Sequence, residues 1–589
     1  MTRERKDLSQ DNHTGAKASH SPFRAGRHVD GEHVVGRSTT DMDVDVDVDV
    51  GLAEARSPLP GWYHVSPILQ KSSVSSESIQ GQSCLSRRVH AHQELTNLNL
   101  SPVTEEGDML AGRVALAVGN WERITQDPEV LRMIMGCPIP FIETPPPNPT
   151  GFQPRFSAAE TTLLHVEVSK LMAKGAIVPV ETVPDQFVGH LFLRQKKDGS
   201  QRPIFNLRPL NAWVAYRHFK MEGLPMLKGL IQSGDWLLKL DLQDAYFCVA
   251  ILAEHRKFLR FWWERQLYEF QCLPFGLASA PRQFTKILKP VVGLLRKLGI
   301  RLLIYLDDIL IMNQSQQSIL QDGKTVVVLL EALGFVLNMK KSVVVPSQRM
   351  EFLGVVVDSQ AMTFSLPEDK IANIFLKCSE MLKMEEVSVR QLSKLTGVLV
   401  SSALAVLPGP LHYRQLQMVQ ARALMKGLSY ESMVMLSADA KREIRWWMEM
   451  LQQTNGKAII SPGPDLVIET DASRQGWGAA MGAMTVRGHW TEAEQEEHIN
   501  VLELRAVLFA VQALCSAKSN MHLHIKADNI TAVAHINKMG GTRSDRCVQV
   551  TTELWEFCLE RKLLLSAEYL PGVENVRADA LSRNVTRFQ

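Results

Sequence analysis

The sequence predicts an α+β protein of several domains, and three observations carry that reading. Its 589 residues exceed what one hydrophobic core serves, so three to four domains are expected. In the middle of the chain, short β-prone apolar runs ending at carboxylates are interleaved with helix-spaced patterns. From Asp465 the texture changes to a fresh alternation of strand and helix patterns, as a separate α/β unit would show.

In chain order, residues 1–110 are rich in Ser, His, Asp and Gly and carry an Asp-Val repeat at 43–50. A charge at every second position with only Val opposite leaves little to bury, so a disordered low-complexity tail is expected. Over 111–150, Trp121, Ile124, Val130, Leu131 and Ile134 have the spacing of one short helix, and a Pro-rich lead-in follows. Residues 158–175 read as an amphipathic helix closed by Lys174-Gly175. Two strands then flank a Lys-Asp-Gly-Ser turn, with Lys196, Lys197 and Arg202 around it. The run Trp236-Leu-Leu-Lys-Leu-Asp241 is a strand ending in an acid, with Asp244 and Tyr246 just beyond. Leu273-Pro-Phe275-Gly276 is a sharp turn into a helix. Arg301-Leu-Leu-Ile-Tyr-Leu-Asp-Asp-Ile-Leu-Ile-Met312 is a hairpin whose tight turn is expected to carry both Asp307 and Asp308. A strand pair at 352–358 and a helix-rich stretch at 361–460 come next. In 461–589, Asp471 falls on a strand, Glu503 on a helix, Asp528 at a strand end and Asp579 at the start of the last helix.

Adjacent acids on a rigid turn make a poor core and a good platform for a hard divalent cation, which takes oxygen ligands. The overall charge of +2 is uninformative, but residues 190–308 hold 19 Lys and Arg against 10 Asp and Glu, a net +9. A basic stretch around an acidic centre suits a nucleic-acid channel with cations at its floor. Eight cysteines without C-x-x-C spacing argue against a disulfide framework or a zinc knuckle. With no signal peptide and no apolar run of membrane length, a soluble intracellular protein, cytoplasmic or nuclear and with no membrane partner, is expected.

The Asp241-x-x-x-x-Tyr246 strand end facing Tyr305-Leu-Asp307-Asp308 resembles the reverse transcriptases. That likeness implies a right-hand polymerase of fingers, palm and thumb, with Asp241, Asp307 and Asp308 as its metal-binding acids. It also implies triphosphate contacts from Lys196, Lys197 and Arg202, a sugar-excluding Tyr246, and Phe275 and Gly276 beneath the nascent base pair, although several viral relatives have Gln where Phe275 stands. Asp471, Glu503, Asp528 and Asp579, on strand, helix, strand and helix, resemble the carboxylate set of an RNase H-like domain. Tyr569 occupies the place where many relatives carry His. Trp121-Glu-Arg-Ile-Thr-Gln-Asp-Pro-Glu-Val-Leu131 is similar to the segment before the polymerase of DIRS-type, gypsy-related retrotransposons. The domains implied are the tail at 1–110, the lead-in at 111–150, fingers and palm at 151–360, thumb or connection at 361–460, and the RNase H-like unit at 461–589. Two Mg²⁺ or Mn²⁺ ions per site are implied, with an RNA template, DNA primer, RNA-DNA hybrid and deoxynucleoside triphosphates as partners. The alternatives are an inactive element-derived nucleic-acid binder, or an RNase H enzyme with a structural polymerase remnant.

Overall fold

Pro128 decides how the helical stretch around Trp121 is cut. The one short helix expected across 121–134 is two, Val118–Ile124 and Pro128–Met135. Asp127 caps the second, its carboxylate accepting the Glu129 and Val130 N–H groups at 2.9 and 3.3 Å, and a proline favours the first turn of a helix over its interior. Fully buried Trp121 donates from Nε1 to the Leu333 carbonyl at 3.1 Å. The lead-in therefore shares a core with the strands it precedes.

The computed structural model describes residues 98–101, 103, 109–148, 150–151, 154–195 and 201–583. The tail expected over 1–110 lies almost wholly outside these, as do Lys196 and Lys197. The described residues belong to one compact unit spanning 76–589.

The Ala158–Ala173 helix opens on a Ser157/Glu160 capping box and closes at Lys174 and Gly175, the latter at φ +66°. It buries only Leu164 and Val168, so it is less amphipathic than its sequence spacing implied. Six strands follow: β1 (Ile177–Val180), β2 (Val188–Gln195), β3 (Gln201–Asn206), β4 (Trp236–Asp241), β5 (Arg260–Trp263) and β6 (Gln266–Phe270). Five of them form one sheet in the order β1-β6-β5-β2-β3. The remaining one, β4, joins β7 (Arg301–Tyr305), β8 (Asp308–Asn313) and β9 (Val343–Ser347) in a second sheet ordered β7-β8-β4-β9. The Ala280–Lys297 and Gln316–Ala332 helices pack on this sheet, with Phe284, Ile287, Val326 and Leu329 in its core.

Beyond it come β10 (Arg349–Phe352), β11 (Val355–Asp358), β12 (Thr363–Ser365), β13 (Glu386–Ser388), β14 (Met433–Met435) and β15 (Lys457–Ala458). These accompany four helices, Glu368–Leu382, Val389–Ser402, Arg414–Met425 and Ala438–Thr454, packed around Trp447. The C-terminal sheet holds β16 (Leu466–Ala472), β17 (Gly476–Met481), β18 (Met484–His489), β19 (His522–Ala527) and β20 (Leu564–Tyr569), in the order β18-β17-β16-β19-β20. Here β16, β17 and β18 are antiparallel, while β16, β19 and β20 are parallel. The α+β class is thus as the sequence predicts. All seven described cysteines are buried and free. No helix among the described residues is long and apolar enough to cross a membrane.

Candidate active sites

Strand register builds the first site. Because β4 runs antiparallel to β8, Asp241 stands directly opposite Asp308, at a spacing that brings facing side chains within about 5 Å at Cβ. Tyr305 pairs with Asp308 across the hairpin, so the turn consists of Leu306 and Asp307. Asp308 is the first residue of β8 rather than part of the turn, a correction that follows from its pairing. Leu306 sits at φ +54°, a left-handed conformation that costs a non-glycine residue on the order of 1 kcal/mol or more and gathers at functional sites. The Leu242 N–H donates to the Asp307 carbonyl at 2.9 Å, tying the turn to the end of β4.

Asp241 is 6 % exposed, and its Oδ1 has no hydrogen-bond partner. Burial, with Asp308 adding to it, pushes its carboxyl above the usual carboxylate range against the pull of Lys341. Asp307 is pushed the same way by burial, Asp308 and Asp241. Two lysines answer the charge: Lys239 Nζ lies 3.0 Å from Asp308 Oδ1, and Lys341 Nζ lies 3.9 Å from Asp241 Oδ1. The Asp241 backbone is held as well, donating its N–H to Ser342 Oγ at 3.0 Å and accepting the Asn338 N–H at 2.8 Å. Sequence reasoning missed Lys239 and Ser342 as parts of the site. Period-2 alternation in β4 was the available signal for Lys239, since it shares a strand face with Asp241.

A cleft of about 950 Å³ opens beside Asp307, lined among others by Gln201, Asp244, Tyr246, Phe275 and Lys341. The Tyr246 ring is 8 % exposed and packs 5.1 Å from Phe275 and 5.3 Å from Phe284. Gly276 takes φ +96°, and its carbonyl accepts from Asn211 Nδ2 at 2.9 Å while Asn211 Oδ1 takes the Ala278 N–H. Asn211 thus staples the Phe275–Gly276 turn, a role nothing in its local sequence advertises. Arg202 lies on β3 with its backbone opposite Arg194.

The second site lies at the carboxyl ends of adjacent parallel strands, where open α/β sheets hold ligands. Thr470 is in register with Ala527, so Asp471 and Asp528 follow side by side. The Ile499–Cys515 helix packs over them and supplies Glu503. One carboxylate oxygen from each of Asp471, Glu503 and Asp528 lies within 4.8 Å of the others. Burial, then Asp471 and Asp528, push the Glu503 carboxyl up to about 9, and its Oε2 has no partner. Asp471 and Asp528 are raised as well, chiefly by burial. The Asp471 carboxylate accepts from Ser582 Oγ. Asp579 lies outside that group yet close enough to help raise Asp471 and Asp528, and it accepts from Arg583 Nε at 2.6 Å. The loop after Tyr569 passes so close that a Cβ on Gly572 would come 3.1 Å from Asp528 Oδ2.

Buried carboxylate oxygens crowded on one another are what a divalent cation would satisfy, and Asp471, Glu503 and Asp528, with Glu503 Oε2 orphaned, fit one on that ground. At the first site the fit rests on the single orphaned oxygen of Asp241, with Lys239 and Lys341 carrying part of the counter-charge a cation would supply.

Residues 194–357 match the family described as reverse transcriptase (RNA-dependent DNA polymerase). The matched segment contains Asp241, Tyr246, Phe275, Gly276, Asp307 and Asp308 together. Over a longer span, the chain is 23 % identical to the enzymatic polyprotein of Figwort mosaic virus across 446 residues, covering 71 % of this chain and 61 % of that one. It is 22 % identical to the enzymatic polyprotein of Cauliflower mosaic virus (strain Strasbourg) across 413 residues, 67 % and 56 % of the two. It is 26 % identical to the transposon Tf2-3 polyprotein of Schizosaccharomyces pombe across 168 residues, 28 % and 12 % of the two. The chain therefore spans about three fifths of the plant-virus polyproteins it matches. A foamy viral protease-reverse transcriptase solved with an RNA/DNA hybrid aligns at a TM-score of 0.49 and 14 % identity, over 90 % of this chain and 66 % of that one.

Proposed function

We propose that this chain is the polymerase and ribonuclease segment of a DIRS-type retrotransposon product, copying RNA into DNA and degrading the RNA of the resulting hybrid. The observation that carries the reading is the register of Asp241 against Asp308 beside the strained Leu306–Asp307 turn, inside the segment that matches the reverse transcriptase family. On this reading residues 151–360 are fingers and palm, 361–460 the thumb or connection, and 461–589 the RNase H-like domain.

Asp241, Asp307 and Asp308 would hold one pair of Mg²⁺ or Mn²⁺ ions, and Asp471, Glu503, Asp528 and Asp579 another. When bound, such a pair lowers the pKa of an attacking hydroxyl or water and stabilises the charge on the leaving oxygen. The chain's own residues do the rest. Lys239 and Lys341 balance the palm acids and would shift as cations arrive. The basic stretch of the matched segment would track template and primer phosphates. Tyr246, wedged between Phe275 and Phe284, would close the cleft against a sugar 2′-hydroxyl.

The test supplies purified full chain with poly(rA), an oligo(dT) primer, Mg²⁺ and deoxythymidine triphosphate, and separately with a labelled RNA-DNA hybrid. Asp307→Asn should abolish extension while hybrid cleavage persists, and Asp528→Asn should do the reverse, since neither site needs the other's ligands. Near-normal extension by Asp307→Asn would sink the palm assignment. Parallel loss of both activities at unchanged melting temperature would refute two independent sites.

A further inference from the structure

Away from both acid clusters, the segment that joins the helical region to the C-terminal sheet is built into that sheet's core. Leu411 is buried in the same cluster as Ile468, Leu504 and Trp555. Three residues on, Arg414 opens the Arg414–Met425 helix and reaches the far end of the Ile530–Lys538 helix. Its Nη2 donates to the Lys538 carbonyl and its Nε to the Met539 carbonyl at 3.3 Å. The Ile530–Lys538 helix stops on Met539 in the left-handed conformation, and Gly540 keeps the approach open, since a Cβ there would come 3.1 Å from Arg414 Cγ. Free carbonyls at the negative end of a helix are natural partners for a forked cation.

The other side of the same arginine is equally fixed. Gln417 Oε1 accepts from its Nη1 at 2.8 Å, and the guanidinium lies 5.0 Å from the Tyr413 ring centroid. Glu443, buried on the Ala438–Thr454 helix, accepts the Gln415 and Leu416 N–H groups at 2.9 and 3.1 Å, pinning the start of the Arg414 helix to the helical region. At the exposed rim Arg422 pairs with Asp545. One helix is thus tied on both sides, with Arg414 as its more buried polar tie to the C-terminal unit and Arg422 as its exposed one.

We propose that Arg414 sets the spacing between the two catalytic centres, and so where an RNA cut falls behind the primer's 3′ end. This rests on the ribonuclease reading above. Arg414 hydrogen-bonds to none of the seven acids and is a positioning residue.

The experiment maps cuts on a 5′-labelled RNA annealed to a recessed DNA primer, with Mg²⁺, using the full chain. The wild type is expected to cut in a narrow window at a set distance from the primer terminus. Arg414→Met keeps the volume and loses the forked donors. It should reduce the preference for that window by roughly tenfold, about what one partly buried cation at a helix terminus carries, with primer extension unchanged. Arg422→Glu, an exposed change that turns attraction to Asp545 into repulsion, should blur the window less, and it supplies the reading should Arg414→Met fail to fold. An arginine that only stabilises the protein would lower melting temperature and total cleavage without moving the cuts. Unmoved, equally sharp cuts in the folded variants overturn the spacing role alone. Intact RNA with the wild type overturns the ribonuclease reading and the proposal with it.

Discussion

Replacing Glu503 by Gln should make the metal-free protein more stable, because folding brings this carboxylate against two others in a buried place. Glu503 is 5 % exposed, its Oε2 has no partner, and its carboxyl is pushed from 4.5 up to about 9 by burial and by Asp471 and Asp528. An acid whose folded-state pKa is raised contributes its stability in full below the unfolded value, and that contribution is lost as pH climbs toward the folded value. By neutrality about 2.5 pH units of that window have been crossed at about 1.4 kcal/mol each, a loss of roughly 3 kcal/mol. Gln has nearly the same shape, keeps an oxygen for the Ala472 N–H that Glu503 accepts, offers its amide to the flanking carboxylates, and does not titrate. In EDTA, the variant should therefore exceed the wild type by roughly 3 kcal/mol at neutral pH, the gap widening by about 1.4 kcal/mol per pH unit toward pH 9 and closing toward pH 4.5. Urea unfolding followed by a probe in the C-terminal unit measures it. Adding Mg²⁺ should close most of that gap, since a cation at 100 times its Kd stabilises the wild type by roughly 2.7 kcal/mol and the variant by much less. A variant no more stable than the wild type in EDTA at alkaline pH, or a gap indifferent to pH, would refute the crowded-carboxylate argument.

Three further outcomes are expected. Tyr246→Ala should raise ribonucleotide incorporation relative to deoxyribonucleotide by roughly 10- to 200-fold, the range a steric pocket contributes, whereas equal loss of both in single-nucleotide kinetics would mark Tyr246 as core only. Trp121→Ala should cost roughly 3 to 5 kcal/mol in urea unfolding, because the ring is fully buried and its Nε1 holds the Leu333 carbonyl; a loss under about 1 kcal/mol would mean the lead-in is dispensable. Lys239→Met should raise the Mg²⁺ requirement for acceptable folding of the palm, because Asp308 loses its counter-ion at 3.0 Å; thermal shift against Mg²⁺ concentration reads this, and an unchanged dependence counts against the lysine's role.

What the sequence determined by itself is local. Period-2 apolar runs ending in acids placed Asp241 and Asp528 at strand ends and Asp471 on a strand, because strand patterning is set by near neighbours, whereas the local pattern puts Asp308 in the turn and only the strand pairing moves it to the start of β8. Helical spacing put Glu503 on a helix, and Gly276 announced a turn because only a residue without Cβ takes φ +96° freely. Tertiary structure alone decided what these residues meet. The opposition of Asp241 and Asp308 depends on the antiparallel register of strands some sixty-five positions apart, which no local pattern encodes. Lys341 reaches Asp241 across about a hundred positions, and Arg414 reaches Met539 across 125. The break at Pro128 departs from the one helix that the spacing implies, and no local pattern encodes that the preceding helix would seat Trp121 against Leu333. Asp579 shows the same divide. Its place on the last helix followed from sequence, but its side chain pairs with Arg583 while the other three acids crowd together, because a guanidinium one helical turn on shares its face of the helix.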